Sequence, residues 1–253
     1  YFLSFWQRSL SVNGFLLKFD TPLFEEHEDM RPLCEFPQED LRKIKFILTD
    51  IDDTLTTNGR LPAKSYHALE KLHQADIKVI PITGRPAGWC DHIARMWPVD
   101  GVVGENGAFF FSYDHDNKKM IKLYSQTEDE RRENFTLLKQ IKNTILESVP
   151  GTAEASDQEY RITDLAIDFA EDVPKLSKSK VDEIVGIAEQ NGAIAKISSI
   201  HVNCWIGSHT KLTTSVQILK ENFGLNDSEI QNRVVFIGDS PNDSTMFLSL
   251  KQI

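Results

Sequence analysis

Short apolar runs alternate with helical patterns along most of the chain. Strand-like runs at 43–50 and 77–83 flank a segment, 65–75, in which apolar residues recur at helical spacing. This order of strand, helix and strand predicts a parallel βαβ unit. Residues 233–240 repeat the first pattern, an apolar run that ends in an aspartate. The two segments therefore predict parts of one doubly wound, Rossmann-like α/β core with a parallel sheet.

The region between these segments has strand and helix patterns of its own. Helices are predicted at 128–148 and 177–190, a half-buried strand at 164–170, and one or two strands at 193–207. We therefore predict an inserted α/β cap domain. We predict an N-terminal extension at 1–40 and a catalytic core in two segments, 41–87 and 205–253. The cap is predicted at 88–204.

Composition narrows the class of protein. With 253 residues, 40% hydrophobic and 26% charged, the chain is typical of a globular protein. A net charge of −10 disfavours nucleic acid as a partner, because the field would repel phosphate backbones. No apolar run approaches the roughly 18 residues of a membrane span, and the aromatic start lacks the features of a signal peptide. Three widely spaced cysteines argue against disulfides or structural zinc, so we expect a reducing cytoplasm.

Acidic residues follow two of the predicted core strands. Asp50 and Asp52 come after the first strand, and Asp239 and Asp243, with Asn242 beside them, follow the last. Ligands of a parallel sheet bind at the carboxyl ends of its strands, so these side chains are expected to converge. Such oxygen ligands suit Mg²⁺, which relieves the repulsion among the carboxylates. The alternative is a set of solvated acidic turns.

The same strand ends carry the groups that phosphoryl transfer needs. A carboxylate can attack phosphorus and form an aspartyl-phosphate, provided that the phosphate oxygens are neutralised. Thr83 and Gly84 offer a hydroxyl and an unobstructed backbone, and Lys211 begins a predicted helix, where N–H groups favour anions. We expect these three residues to bind phosphate.

Taken together, four short motifs resemble those of the haloacid dehalogenase superfamily of phosphotransferases. They are D-I-D-D-T at 50–54, T-G-R at 83–85, the lysine at 211 and G-D-S-P-N-D at 238–243. The interval after T-G-R, with E-N-G-A at 105–108, resembles the branch that carries a large α/β cap and includes Cof-like proteins and sugar phosphatases. The resemblance covers about residues 43–248.

The resemblance implies roles for these residues. Asp50 would be the nucleophile and a metal ligand. Asp52 would be the general acid and base, with its backbone carbonyl on the metal. Thr83 and Lys211 would hold the phosphate. Asp239, Asn242 and Asp243 would ligate Mg²⁺ or support its site.

Two features depart from the family pattern. Asp53 replaces a usual glycine, but aspartate tolerates left-handed backbone conformations, so we expect the turn to survive. Family members normally continue for another strand and helix after the fourth motif, whereas this sequence ends at Ile253. The simplest interpretation is that the sequence is truncated there.

Substrate specificity is predicted from a polar strand face. Alternation places His201, Asn203 and Trp205 on one side of a strand, where hydroxyl groups and a ring could receive a sugar. The equally weighted alternative is an exposed face or an interdomain contact. Arg85 is a further candidate for substrate contact, or else it forms a surface ion pair.

We therefore expect a Mg²⁺-dependent phosphatase that hydrolyses a small phosphomonoester, most plausibly a sugar phosphate. The nearest alternative is a phosphomutase resembling phosphomannomutase, which returns the phosphoryl group to a sugar. Phosphoglycolate and sugar-glycerate phosphates are other substrates handled in this branch. A non-catalytic sensor of phosphorylated ligands is the alternative from another class.

Overall fold

A parallel sheet forms the core in the computed structural model, which describes residues 37–239 and 243–252. Its strand order is β11, β10, β1, β2, with bounds Lys251–Gln252, Val234–Ile237, Phe46–Thr49 and Lys78–Pro81. All three pairings are parallel. Parallel strands are buried on both faces, which explains why the core strands are almost uninterrupted apolar runs.

Helices surround this sheet, as the crossover connections of parallel strands require. They are α1, α2, α3, α6, α7 and α8, with bounds Gln38–Leu41, Ala63–Gln74, Ala87–Met96, Lys211–Glu221, Asp227–Arg233 and Ser244–Ser249. Capping boxes at Thr210 and Asn226 begin α6 and α7 by satisfying N–H groups of the first turn. Within residues 37–239 and 243–252, every helix is too short or too polar to cross a bilayer.

A second, antiparallel sheet contains β3, β4 and β5, at Val102–Gly104, Phe109–Asp114 and Lys119–Tyr124. β3 also lies parallel to the chain after β2, where Val103 pairs with Ile82. Val103 and Phe110 pack in the same apolar cluster as Phe46 of β1. The segment from α3 to β5 therefore packs with the core, whereas the sequence analysis assigned residues 88–124 to the cap.

The third sheet belongs to the cap. Its antiparallel order is β6, β7, β9, β8, with bounds Ala153–Glu154, Asp164–Asp168, His201–Trp205 and Ile194–Ile197. Two helices, α4 at Glu128–Ser148 and α5 at Lys178–Gln190, pack on the apolar face of this sheet. Core sheet, surrounding helices and α/β cap together confirm the predicted fold class.

Both central cap strands are more buried than their alternating pattern predicts. Every residue of β7 and of β9 is buried. Leu165 and Val202 face the cap helices. The opposite face, which carries Asp164 and Asn203, covers the carboxyl ends of the core strands. The prediction of a half-buried strand at 164–170 was wrong because the core, and not solvent, covers the polar face.

Candidate active site

Asp50 lies immediately after β1, where the parallel register brings three strand ends together. Its N–H donates to the carbonyl of Ile237 at 2.8 Å, which joins it to the end of β10. Only 6% of Asp50 is exposed. The Nζ of Lys211, the first residue of α6, donates to Asp50 Oδ1 and to Asp243 Oδ1, both at 2.9 Å. One buried cation thus bridges two buried carboxylates.

Burial and charge compete at this cluster. Burial raises the pKa of Asp50 to about 6; the charge of Lys211 opposes this rise and that of Asp243 adds to it. Burial alone would lower the pKa of Lys211, but the two carboxylates more than offset this and raise it. Lys211 therefore remains charged, and a second cation would further stabilise the ionised Asp50.

Three carboxylates form a candidate metal centre. Asp50, Asp239 and Asp243 each offer an oxygen, and these oxygens lie within 4.8 Å of one another. Thr54 donates its hydroxyl to Asp239 Oδ1 at 2.9 Å and so orients that side chain. This all-oxygen donor set fits Mg²⁺. Asn242, the other predicted ligand, lies outside the described residues.

Asp52 is held by Arg85 of the T-G-R motif. Nε of Arg85 donates to Asp52 Oδ2 and a terminal nitrogen donates to Oδ1, both at 2.9 Å. The guanidinium also lies 4.4 Å from the ring centroid of Trp89. Asp53 has a φ of 57°, so aspartate does adopt the left-handed conformation expected at the turn. Arg85 therefore positions a second carboxylate near Asp50.

Thr83 and Gly84 differ in their access to the cleft. Thr83 is completely buried, and its hydroxyl accepts the N–H of Arg85 at 3.0 Å. Gly84 lines the cleft, where a Cβ would lie 3.2 Å from the side chains of Asn106 and Asn203. Of the three predicted phosphate-binding residues, Gly84 and Lys211 line the cleft. Thr83 does not, because its Oγ1 is turned towards its own loop.

A cleft of about 800 Å³ lies between Asp50 and the cap. His201 and Asn203 of β9 line it, as their predicted role requires. Trp205 does not. Its indole N–H donates to the carbonyl of His209 at 3.2 Å, and its buried ring stacks on that histidine. The prediction that Trp205 faces the substrate was wrong, because β9 ends there and the ring packs into the return to the core.

Residues 47–158 match the profile of the haloacid dehalogenase-like hydrolases. The resemblance drawn from the four motifs is therefore confirmed. No curated protein sequence matches the chain.

Solved structures extend the likeness to the cap. A Thermoplasma acidophilum protein is 18% identical, with a TM-score of 0.63 over 83% of each chain. A sugar phosphatase of haloacid dehalogenase subclass IIB is 17% identical, with a TM-score of 0.55 over 81% of this chain and 85% of its own. A trehalose-6-phosphate phosphatase related protein is 15% identical, with a TM-score of 0.54 over 81% and 82%. At these identities the likeness establishes the fold.

The cleft also contains cap residues that the sequence analysis missed. Arg161 and Glu171 both line the cleft. Arg161 pairs with Asp164 at 3.0 Å, and Glu171 Oε2 lies 2.8 Å from Nε2 of His201. The local sequence feature that could have indicated Glu171 is Asp168. Its carboxylate accepts the N–H groups of residues 170–172 and so forms the turn that carries Glu171.

Proposed function

We propose that this protein is a Mg²⁺-dependent phosphatase that hydrolyses a small phosphomonoester. One observation supports this most strongly: the buried Asp50 carboxylate lies 2.9 Å from Lys211 and opens onto a cleft beneath the cap. Asp50, Asp239 and Asp243 would hold the metal, together with the backbone carbonyl of Asp52. The metal would supply positive charge that neutralises the phosphate oxygens.

The side chains provide the remaining chemistry. An oxygen of Asp50 attacks phosphorus, the bond from phosphorus to the ester oxygen breaks, and Asp52 protonates the leaving alcohol. Water then attacks phosphorus and loses its proton to Asp52, while the bond from phosphorus to the Asp50 oxygen breaks. This releases inorganic phosphate and regenerates the Asp50 carboxylate. Each oxygen of Asp52 accepts one N–H group of Arg85 and keeps a second lone pair, which can carry the proton while Arg85 stays bound. Lys211 stabilises the negative charge of the transferred group.

The cap side of the cleft favours a polyhydroxyl substrate over a phosphorylated acid. Glu171 places a negative charge there, while Asn203 and Ser199 offer neutral hydrogen-bonding groups. The Oδ1 atom of Asn203 is buried and has no hydrogen-bond partner among the described residues, so it can accept a hydroxyl group. A sugar phosphate presents hydroxyls to this surface, whereas a phospho-acid would bring its carboxylate towards Glu171. The solved neighbours include a sugar phosphatase.

The test is phosphate release from a panel of hexose phosphates, trehalose 6-phosphate, phosphoglycolate and phosphoglycerate. We expect release in Mg²⁺, none in EDTA, and none from Asp50→Asn, which removes the attacking oxygen anion but keeps the shape of the side chain. Chromatography of the sugar products tests the mutase alternative, which requires isomer without net phosphate. A folded protein that is inert on the whole panel would instead support the sensor.

Because Cys90 and Cys204 are buried free thiols, we also infer a reducing, cytoplasmic setting.

A further inference from the structure

Glu105 is a completely buried carboxylate that lies outside the catalytic cluster. It accepts hydrogen bonds from five donors. One is the N–H of Ala87, at the start of α3, at 2.9 Å. The other four come from the cap: the N–H groups of Ile162, Thr163 and Asp164, at 3.0, 2.7 and 3.2 Å, and the Thr163 hydroxyl. A single core side chain thus binds one end of β7 and the residues before it.

The backbone around Glu105 is strained in a way that serves this contact. Glu105, Asn106 and Gly107 have φ values of 42°, 57° and 108°. Left-handed conformations are costly for side chains other than glycine, and they persist where surrounding contacts determine them. In this turn, Glu105 points to the cap and Asn106 to Gly84. Gly107 lies against the carbonyl of Thr210, so the turn also contacts the segment that precedes Lys211.

The Glu105 contact is a third attachment between the core and the cap. The two covalent connections run through residues 125–127 and 206–210, and Gln126 Nε2 donates to the carbonyl of Ile206 at 2.7 Å. Glu105 instead binds residues 162–164, in the middle of the cap sequence. A pivot of the cap about its two connections would break this attachment. It would also separate Arg161 from the carbonyl of Gly84, to which it donates at 3.1 Å.

We propose that Glu105 is a positioning residue that holds the cap over Asp50 by binding residues 162–164. It thereby keeps Arg161 against Gly84 in the T-G-R loop and fixes the shape of the cleft. The kinetic part of this proposal rests on the proposed phosphatase activity. The structural part does not.

The first test is Glu105→Gln, which keeps the volume but turns one acceptor oxygen into a donor. At least one cap donor then faces an N–H group, so the attachment weakens. Burial raises the pKa of Glu105 to about 7; the charge of Asp164 adds to this rise and the hydrogen bond from Thr163 opposes it. Measurements are therefore made at pH 8, where Glu105 is ionised in the wild type. We expect amide hydrogen exchange at 162–164 to accelerate about tenfold or more, with residues 194–205 unchanged. We expect kcat/KM to fall by about the same factor.

A disulfide tests whether attachment itself restores activity. A Cβ on Gly88 would lie 3.0 Å from Cβ of Tyr160, and both residues are exposed. If the two Cβ atoms move apart by roughly 0.5–1 Å, their separation suits a disulfide between cysteines at these positions. In the triple variant Glu105→Gln, Gly88→Cys, Tyr160→Cys, oxidation should restore both exchange protection and kcat/KM, and reduction should remove both. Peptide mass mapping identifies the bond, and Gly88→Cys, Tyr160→Cys with Glu105 retained is the matched control.

Two results would overturn the proposal. One is a Glu105→Gln protein whose exchange at 162–164 and kcat/KM both stay within about twofold of wild type. The other is an oxidised triple variant in which protection returns but activity does not. If Glu105→Gln does not fold, Thr163→Val removes one donor and should accelerate exchange in the same segment. Wild type that hydrolyses no phosphomonoester would refute the proposed function, and hydrogen exchange would still decide the attachment.

Discussion

Replacement of Lys211 by methionine tests the electrostatics of the cluster. Methionine keeps nearly the length of the side chain but removes the cation that lies 2.9 Å from both Asp50 and Asp243. Removal of one partner from a buried ion pair typically costs about 3–5 kcal/mol, because the other charge stays buried and uncompensated. For a chain of this size that corresponds to a fall in Tm of roughly 10 °C. The pKa of Asp50 should rise further, since the charge that opposes its rise is gone.

The assays are thermal unfolding with and without Mg²⁺, and phosphate release. Mg²⁺ should restore part of the lost stability, because it neutralises the same carboxylates and binds the folded state. Activity should fall about 10²- to 10³-fold even in saturating Mg²⁺, the usual effect of removing one group that stabilises transition-state charge.

The matched control is Lys220→Met on the same helix. Lys220 pairs with Asp227 at 2.6 Å, but both side chains are largely exposed, so its removal should cost less than about 1 kcal/mol. A Lys211→Met protein with a Tm within about 2 °C of this control would refute the reasoning. It would mean that the carboxylates do not depend on Lys211 in the folded protein.

Three further changes test other parts of the structure. Gly107→Ala should destabilise the protein by about 3 kcal/mol in urea unfolding, because the new Cβ would lie 2.3 Å from the carbonyl oxygen of Thr210. The control Gly186→Ala places its Cβ in open space and should not destabilise the protein. Burial lowers the pKa of His209 to about 4, so the unfolded chain binds the proton more tightly and stability should fall as pH drops from about 6.5 to 4. The His209→Phe variant should lose this pH dependence, and a variant with the wild-type pH profile would contradict the role of His209. Glu171→Gln should raise kcat/KM for phosphoglycolate relative to a hexose phosphate by about tenfold, and an unaltered ratio would show that Glu171 does not repel acids.

The acidic strand ends of the candidate site were predictable because their geometry is local. Asp50 and Asp239 each follow an apolar run, and parallel strands bring such ends to one edge of a sheet. The same reasoning identified Lys211 at a helix start and Asp53 in a left-handed turn, and the structure agrees with both. These inferences need only the alternation of strands and helices together with the conformational preference of individual residues.

Other assignments depended on which surfaces meet. Alternation along β9 placed Trp205 with Asn203, but only the packing of the chain around His209 turns the indole away from the cleft. Likewise, the sequence analysis assigned the apolar residues at 101–111 to the cap, whereas Val103 and Phe110 pack in the same apolar cluster as Phe46 of the core.

The sequence by itself determined the α/β class, the order of the motifs and the residues of the carboxylate cluster, since short-range pattern and strand direction suffice for these. Only the tertiary structure decided that Glu105 binds the cap, that Arg161 reaches Gly84 and that Glu171 meets His201. The donors and acceptors of these contacts lie about 30–80 positions apart in the chain. No periodicity links such residues, because their proximity results from the docking of two separately formed sheets.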